Sequence, residues 1–567
     1  MSQTAKDLSI NKAISFFKQG QVKRSLKETL NAKKNYPDEP FIYNLLGVLY
    51  AHLGSYEKST KNYSKAIKLN PKYFEAYNNA GVAYTSWKKT DQAIKCFDKA
   101  VQINPFYAEA YNNKGNALKE KGEYNLAAES YEKSLDVNPN YIDAISNAGI
   151  VYDIMNDFTK AESYFNQALS LNPTDISLRY NLAKCHYNKA LTLMEAERID
   201  EAEENFRKAI CLDSKHIMSY YSLGLIHQER GQFKEGLDIK KKVLEFEPHH
   251  ADTNHSIGIM SLRLGRFAEG WKYFEYRWKV SQFNKIAWSI QDKPLWKGER
   301  GKRVALWKEQ GIGEDIIFLS LLPEVKEMCA ALSVFVDPRL QTLCRQAMPD
   351  INFVKDIEEL QKVECDYHLP LGSVPGLIRN DISDFDRTVK GYLKADPKRV
   401  EAIRNELQLD GKTAIGISWK SVKTKYKKKS IQLRDMERIF SGLDVVLVNL
   451  QYGDVDDEIR EFKEATGIDV VQCASVDNRE DLDGLAALIE VCDLVVSTSS
   501  VTVHLAGALA KETWVLLHYV SIYYRLVERT DSIWYPSLSL YRQPTLDDWD
   551  SVYISIRKDL ETKLQLN

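Results

Sequence analysis

Long apolar runs are missing from this 567-residue sequence. None approaches the ~20 residues a membrane span needs. The first residues, Met1-Ser2-Gln3-Thr4-Ala5-Lys6-Asp7, lack the apolar stretch of a secretory signal. The eight cysteines stand singly with no C-x-x-C pair, which argues against a disulfide framework or a zinc knuckle and fits a reducing cytoplasm. Neither charge sign dominates: 77 Lys+Arg against 79 Asp+Glu leave a formal −2. That balance speaks against a chain whose task is coating nucleic acid. With 44% hydrophobic and 28% charged residues the composition is that of a soluble folded protein. The length exceeds the ~100–200 residues of one domain. What the chain has in excess is tyrosine, 31 in all.

Many of the tyrosines belong to a repeat. Gly47, Gly81, Gly115 and Gly149 are 34 residues apart. Twelve residues after each stands Ser59, Ala93, Ala127 or Ala161, and sixteen after, Tyr63, Phe97, Tyr131 or Phe165. Then come Ala66, Ala100, Ser134 and Ala168, followed by Pro71, Pro105, Pro139 and Pro173. This is the tetratricopeptide (TPR) pattern of paired helices. Small residues let the two helices approach, the aromatic fills the space between repeats, and proline ends the second helix. Ala202, Phe206 and Ala209 arrive seven residues late, so the hairpin around Leu191–Glu195 is expected to be longer by about two turns. The array is expected over 6–278, closing on the aromatic stretch from Trp271 to Trp278.

Two residues before the glycine column stand Asn79, Asn113, Asn147 and Asn181. On the concave face of a TPR array such a row can hold the backbone of an extended acceptor chain, since asparagine both donates and accepts. Alternatively, each asparagine simply bonds its neighbours.

Beyond a linker at 279–300 the period changes to alternating strands and helices. One set lies in 301–395, with strands at Val304–Trp307, Leu332–Val336 and Asn352–Val354 and a helix over Ile316–Ala330. A loose stretch over Pro370–Gly391 separates it from a second set in 396–567, whose strands are Ala414–Ser418, Val445–Leu450, Asp469–Gln472, Leu494–Ser497 and Thr513–Leu517. A helix is expected over His504–Ala510. Two such sets predict two Rossmann-like domains facing a cleft, with ligands at the carboxyl ends of the strands.

Three loops there carry candidate chemistry. In Glu309-Gln310-Gly311-Ile312-Gly313-Glu314-Asp315 the glycines Gly311 and Gly313 admit close backbone approach at a helix start, and either Glu314 or Asp315 can serve as a general base. Acidic residues at a helix start are also ordinary dipole partners. Ser418-Trp419-Lys420-Ser421 leaves a buried strand, placing Lys420 where a phosphate needs neutralising; the lysines from Lys423 to Lys429 read as a solvated loop. The third is Ser497-Thr498-Ser499-Ser500-Val501-Thr502-Val503-His504. Its hydroxyls and helix-start amides suit a phosphate, or else Ser499 or Ser500 is a plain N-cap and His504 a structural histidine. Asp-x-Asp, a metal-holding motif in some sugar transferases, starts at Asp384, Asp454, Asp481 and Asp548, too often to inform. His249, His250 and His255 have no second ligand cluster at metal spacing.

Together these loops resemble bacterial TPR-containing glycosyltransferases, nearest to the flagellin glycosyltransferases. The resemblance rests on Glu309–Pro323, Ile415–Ser421, Asp481–Leu517 with His504-Leu505-Ala506-Gly507-Ala508-Leu509, and the tail Trp534-Tyr535-Pro536-Ser537. The second half is similar to heptosyltransferases, and the whole layout to O-linked N-acetylglucosamine transferases with their asparagine ladder. It implies an all-α TPR superhelix followed by a GT-B α/β fold, and metal-independent, cofactor-free transfer of a sugar from a nucleotide-sugar to Ser/Thr of a protein. Flagellin would be the acceptor and a CMP-nonulosonic acid the donor. Trp419, Lys420, Ser421, Ser499, Ser500, Thr502 and His504 would hold the donor together with Gly311 and Gly313. The family's Gly-x-Gly-Asp is here Gly-Ile-Gly-Glu, with Asp315 next. Two other readings stand beside it: a TPR scaffold with an inactive transferase domain, and a heptosyltransferase-like enzyme acting on a lipid or glycan.

Overall fold

The computed structural model describes residues 3–280, 293–309, 311–409, 411–420 and 430–566. The chain forms two compact units, 1–223 and 224–567.

The first unit is a run of helical hairpins. Six pairs extend from Gln3–Lys18 and Val22–Asn35 to Ile176–Glu195 and Ile199–Leu212. Each second helix has 14 residues and ends on an asparagine or its equivalent before proline, as at Asn70, Asn104, Asn138 and Asn172. The glycine column has a steric cause. A β-carbon on Gly81, Gly115 or Gly149 would lie 2.5–2.8 Å from the ring of Phe97, Tyr131 or Phe165, the aromatic sixteen residues on. The small-residue columns are fully buried, Ser59, Ala93, Ala127 and Ala161 among them. Helix Ile176–Glu195 has 20 residues where the first helices of the four preceding pairs have 13 or 14, which is the expected lengthening.

The second unit begins inside the expected array. Helices Phe233–Phe246, Ala251–Arg263 and Phe267–Phe274 share it with two wholly parallel sheets. The first sheet has β1 (Lys302–Trp307), β2 (Cys329–Phe335), β3 (Asn352–Phe353) and β4 (Tyr367–Pro370), in the order β3-β2-β1-β4. The second has β5 (Thr413–Ser418), β6 (Val445–Asn449), β7 (Val470–Val471), β8 (Leu494–Thr498), β9 (Thr513–Leu517) and β10 (Leu538–Arg542), in the order β10-β9-β8-β5-β6-β7. One apolar core joins Phe267, Trp271 and Phe274 to Leu306, Phe318, Val495, Val503 and Trp534. The α/β region therefore packs on the last helical hairpin without a break.

Some boundaries differ from those expected. The helix over Ile316–Ala330 is two helices, Ile312–Leu319 and Leu322–Met328, because Pro323 cannot donate to a preceding turn. Residues 329 and 330 already belong to β2. The helix expected from His504 starts at Val501, so Ser500 is its N-cap. Strands β4 and β10 and the helices Pro397–Leu407 and Trp549–Leu566 are additional elements. Part of the expected linker is integral to the first sheet: Leu295 bridges His368 in parallel, and Trp296, 1% exposed, donates its N–H to the His368 carbonyl at 2.9 Å.

Candidate functional site

Two of the three loops meet. β1 delivers the chain to Gly311, the N-cap of Ile312–Leu319, and β8 delivers it to Ser500, the N-cap of Val501–Ala508. The two helices pack together, and a β-carbon on Gly313 would lie 3.1 Å from Cδ2 of His504. Gly313 is thus a contact between the two sheets' loops. A β-carbon on Gly311 would face the Glu314 carboxylate at 3.0 Å.

No side chain caps the start of Val501–Ala508. The Ser500 hydroxyl lies 3.3 Å from that of Ser497, Thr502 donates to the Leu450 carbonyl at 3.4 Å, and the Ser499 hydroxyl is buried with no hydrogen-bond partner among the described residues. Helix-start amides beside an unspent hydroxyl can take an anion.

The adjacent carboxylates are not equivalent. Asp315 is 2% exposed. It accepts the Asp337 backbone N–H at 3.1 Å and lies 3.6 Å from the Lys308 ammonium. Burial pushes its carboxyl up to about 7, against the pull of Lys308. Its role is to brace the turn after β2. Asp337 shows the opposite balance: burial would raise it, but hydrogen bonds from Arg339 and Lys308 bring it down to about 2. Glu314 is half-buried, and the phenols of Tyr523 and Tyr535 are raised by burial first and in lesser part by its charge. Of the two, only Glu314 is partly exposed.

The Trp419 segment differs from expectation. Trp419 is fully buried in the apolar core beneath the second sheet, so its indole packs there and does not face a ligand. Its ring N–H donates to Glu458 at 2.8 Å, and the Lys420 ammonium pairs with the same carboxylate. The Ser418 hydroxyl and the Trp419 and Lys420 N–H groups all converge on Oε1 of Gln451, at 2.9–3.0 Å. Lys420 is therefore neutralised by a helix-start glutamate instead of standing open. Ser421 lies outside the described residues.

His504 is 3% exposed and held at both nitrogens: Nδ1 is 3.1 Å from the Tyr535 hydroxyl and Nε2 is 2.9 Å from that of Tyr524. Tyr392 bonds the Ile316 carbonyl at 2.6 Å, and its phenol is raised by burial and by Tyr535. Sequence reasoning named Tyr535 only as part of the Trp-Tyr-Pro-Ser tail and missed Tyr392 and Tyr524; the aromatic density between Tyr519 and Tyr541 was a signal for Tyr524 alone of these two. Nor did sequence reasoning find the buried pair of Arg277 with Glu309, whose nearest contact is 3.0 Å.

In the first unit the asparagines bond from repeat to repeat. Asn79 donates to Asn44 at 3.1 Å, Asn113 to Asn78 at 3.0 Å, and Asn147 to Asn112 at 3.0 Å. The acceptors in turn meet the next repeat's tyrosine, as Asn44 donates to Tyr73 and Asn78 to Tyr107, both at 3.3 Å. The row changes at Asn181, whose equivalent acceptor position is Ser146. Neighbour bonding thus uses one amide hydrogen of Asn79, Asn113 and Asn147, and these three and Asn181 all stay half-exposed.

Among the described residues no three His, Cys, Asp or Glu side chains group as a metal site, and no helix is long and apolar enough to cross a membrane.

The repeat models that match lie in the first half of the chain. Residues 74–107 and 108–141 match a tetratricopeptide repeat model, 142–175 and 183–216 a second, and 49–86 a TPR repeat model. Protein FlbA of Caulobacter vibrioides is 29% identical over 310 residues, 50% of this chain and 50% of FlbA. The chain thus spans about half the length of that curated relative. Among solved structures, YrrB, described as a TPR protein with an unusual peptide-binding site, is 21% identical, with a TM-score of 0.30 over 34% of this chain and 96% of its own. The C-terminal part of a TPR repeat-containing protein from Cytophaga hutchinsonii is 17% identical, with a TM-score of 0.38 over 44% and 99%. Residues 49–175 and 183–216 thus carry tetratricopeptide repeats, and an α/β region of parallel sheets follows them.

Proposed function

We propose that the chain is a cytoplasmic protein O-glycosyltransferase of the GT-B type. The TPR array presents a protein acceptor, flagellin by resemblance, and the α/β region binds a nucleotide-sugar, by resemblance a CMP-nonulosonic acid. The observation that supports this reading is the contact of Gly313, the neighbour of Glu314 in sequence, with His504 in the first turn of a helix whose start no side chain caps. Donor phosphate would rest on the amides at the start of Val501–Ala508 and on the Ser499 hydroxyl. The acceptor Ser/Thr oxygen would attack the anomeric carbon as the bond to phosphate breaks. Glu314 would take the hydroxyl proton, and the phosphate would leave with the bonding electrons. Such a base contributes ~10²–10⁴-fold.

A second reading, a TPR scaffold with an inactive transferase fold, is favoured by two observations: Lys420 is already paired with Glu458, and both nitrogens of His504 are occupied. A melting-point panel with CMP, UDP, GDP and ADP separates the two. A ligand at ~100 times its Kd stabilises by ~2.7 kcal/mol. A shift with one nucleotide supports the enzyme; no shift with any leaves the scaffold.

A further inference from the structure

Three arginines are fully buried in the second unit, and they differ in one respect. Arg277 is paired with Glu309 and Glu275, and Arg379 with Glu324 at 2.8 Å. Arg525, 2% exposed, has no carboxylate partner among the described residues. One terminal nitrogen reaches the Ser532 hydroxyl at 3.3 Å and the guanidinium lies 5.6 Å from the Tyr524 ring centroid, while Nε and Nη2 have no hydrogen-bond partner among the described residues. Those two nitrogens form one edge of the guanidinium, the edge that grips two oxygens of a carboxylate or phosphate side by side. A buried charge left in this state is costly unless something fills that edge.

Two more guanidiniums stand nearby. Arg542, at the carboxyl end of β10, donates to the Ser521 hydroxyl at 2.5 Å and to the Leu526 carbonyl at 2.9 Å. Ser521 itself donates to the Arg525 carbonyl at 3.3 Å, which ties the two arginines to one loop. Arg263, the last residue of helix Ala251–Arg263, lies 5.0 Å from the Phe233 ring centroid and has buried Nε and Nη1 atoms without hydrogen-bond partners among the described residues. The helix packs on the same loop through Met260, Val520 and Val527. Burial first, then the neighbouring arginine, lowers both Arg263 and Arg542 to about 10. Arg263 and Arg542 are half-buried, so the group reaches the surface at them while Arg525 lies at its floor.

We propose that Arg525, Arg263 and Arg542 form a binding site for a small oxyanion, a phosphate or a carboxylate group, at the carboxyl ends of β9 and β10. The site stands whether or not the chain transfers sugar, because it is defined by binding and not by turnover.

The test uses the full chain with inorganic phosphate, with N-acetylglycine as the carboxylate probe, and with sodium chloride at equal ionic strength and constant pH. Phosphate or N-acetylglycine should raise Tm beyond the chloride control, and which one does so names the group. Arg525→Met should abolish the shift without lowering the anion-free Tm, since it removes an uncompensated charge. If Arg525→Met does not fold, Arg263→Gln serves, and its anion Kd should rise by roughly tenfold. Equal shifts from all three salts, or an anion shift that survives these substitutions, would overturn the proposal. So would a fall in anion-free Tm on Arg525→Met equal to that of breaking a buried ion pair.

Discussion

The backbone of Gly313 lies against the imidazole of His504, close enough that a β-carbon would stand 3.1 Å from Cδ2. Glycine to alanine within a helix ordinarily stabilises by roughly 0.5–1 kcal/mol. Here the imidazole is pinned by Tyr524 and Tyr535 and has little room to yield. Gly313→Ala should therefore destabilise, by about 1–3 kcal/mol as overpacking does. His504→Ala in the same chain should recover part of the loss, a coupling that a double-mutant cycle of melting curves reads directly.

Asp315 supplies a pH signature. Its carboxyl rises from 3.8 to about 7 on folding because burial disfavours the charge. The folded chain thus holds this proton more tightly than the unfolded one. The contribution is full below the unfolded value and is lost as pH climbs through about 7. Asp315→Asn, which keeps an acceptor for the Asp337 N–H, should flatten that part of the stability profile. A denaturation series across this window checks it; an unchanged slope removes Asp315 as the cause.

The two neighbouring acids should part company in turnover. Glu314→Gln is expected to lower transfer by ~10²–10⁴-fold with donor affinity retained. Asp315→Asn should act through stability alone. If Glu314→Gln transfers sugar at the wild-type rate with both substrates saturating, the proton leaves by another group.

Lys420 and Glu458 make opposite predictions. Lys420→Ala should cost nucleotide affinity roughly tenfold if the ammonium meets phosphate when the donor binds. Glu458→Gln would free that ammonium and tighten binding. Calorimetry in which both substitutions leave Kd unchanged would make the pair purely structural.

Within the repeats, the bond from Asn113 to Asn78 should carry about 0.5–1.5 kcal/mol of coupling. Asn78 is fully buried, so Asn78→Ala should loosen its helix more than Asn113→Ala. Hydrogen exchange at Phe74–Ser86 and Ala108–Lys121 reads both. Acceptor modification by the Asn79, Asn113, Asn147 and Asn181 quadruple alanine variant then asks separately whether the half-exposed faces also hold a protein.

How far the sequence could be read follows from the range of each interaction. The repeat was plain because Gly81 and Phe97 clash on substitution at a fixed spacing, and every repeat restates the constraint. The central strands were plain because β5, β8 and β9 are buried on both faces and read as continuous apolar runs. Less was legible at the loops. Lys420 looked open because its partner, Glu458, is 38 residues away on another element. The burial of Asp315 and not Glu314 depends on how Ile312–Leu319 docks, which no local pattern encodes. The tyrosines around His504 come from distant segments and carry no spacing rule.

The buried pair of Arg277 and Glu309 joins the end of the helical array to the first loop of the α/β region, as does the bond from the Trp271 indole to the Arg379 carbonyl at 2.8 Å. It follows that the natural splice point for chimeras lies upstream of Gly224, not at the change of sequence period near 300. A hybrid grafted after Trp296 would inherit Glu309 and Arg379 without the side chains that cover them, and should be recovered only as aggregate. Exchange of repeats between relatives, in the laboratory or in evolution, is then confined to the hairpins that precede Gly224.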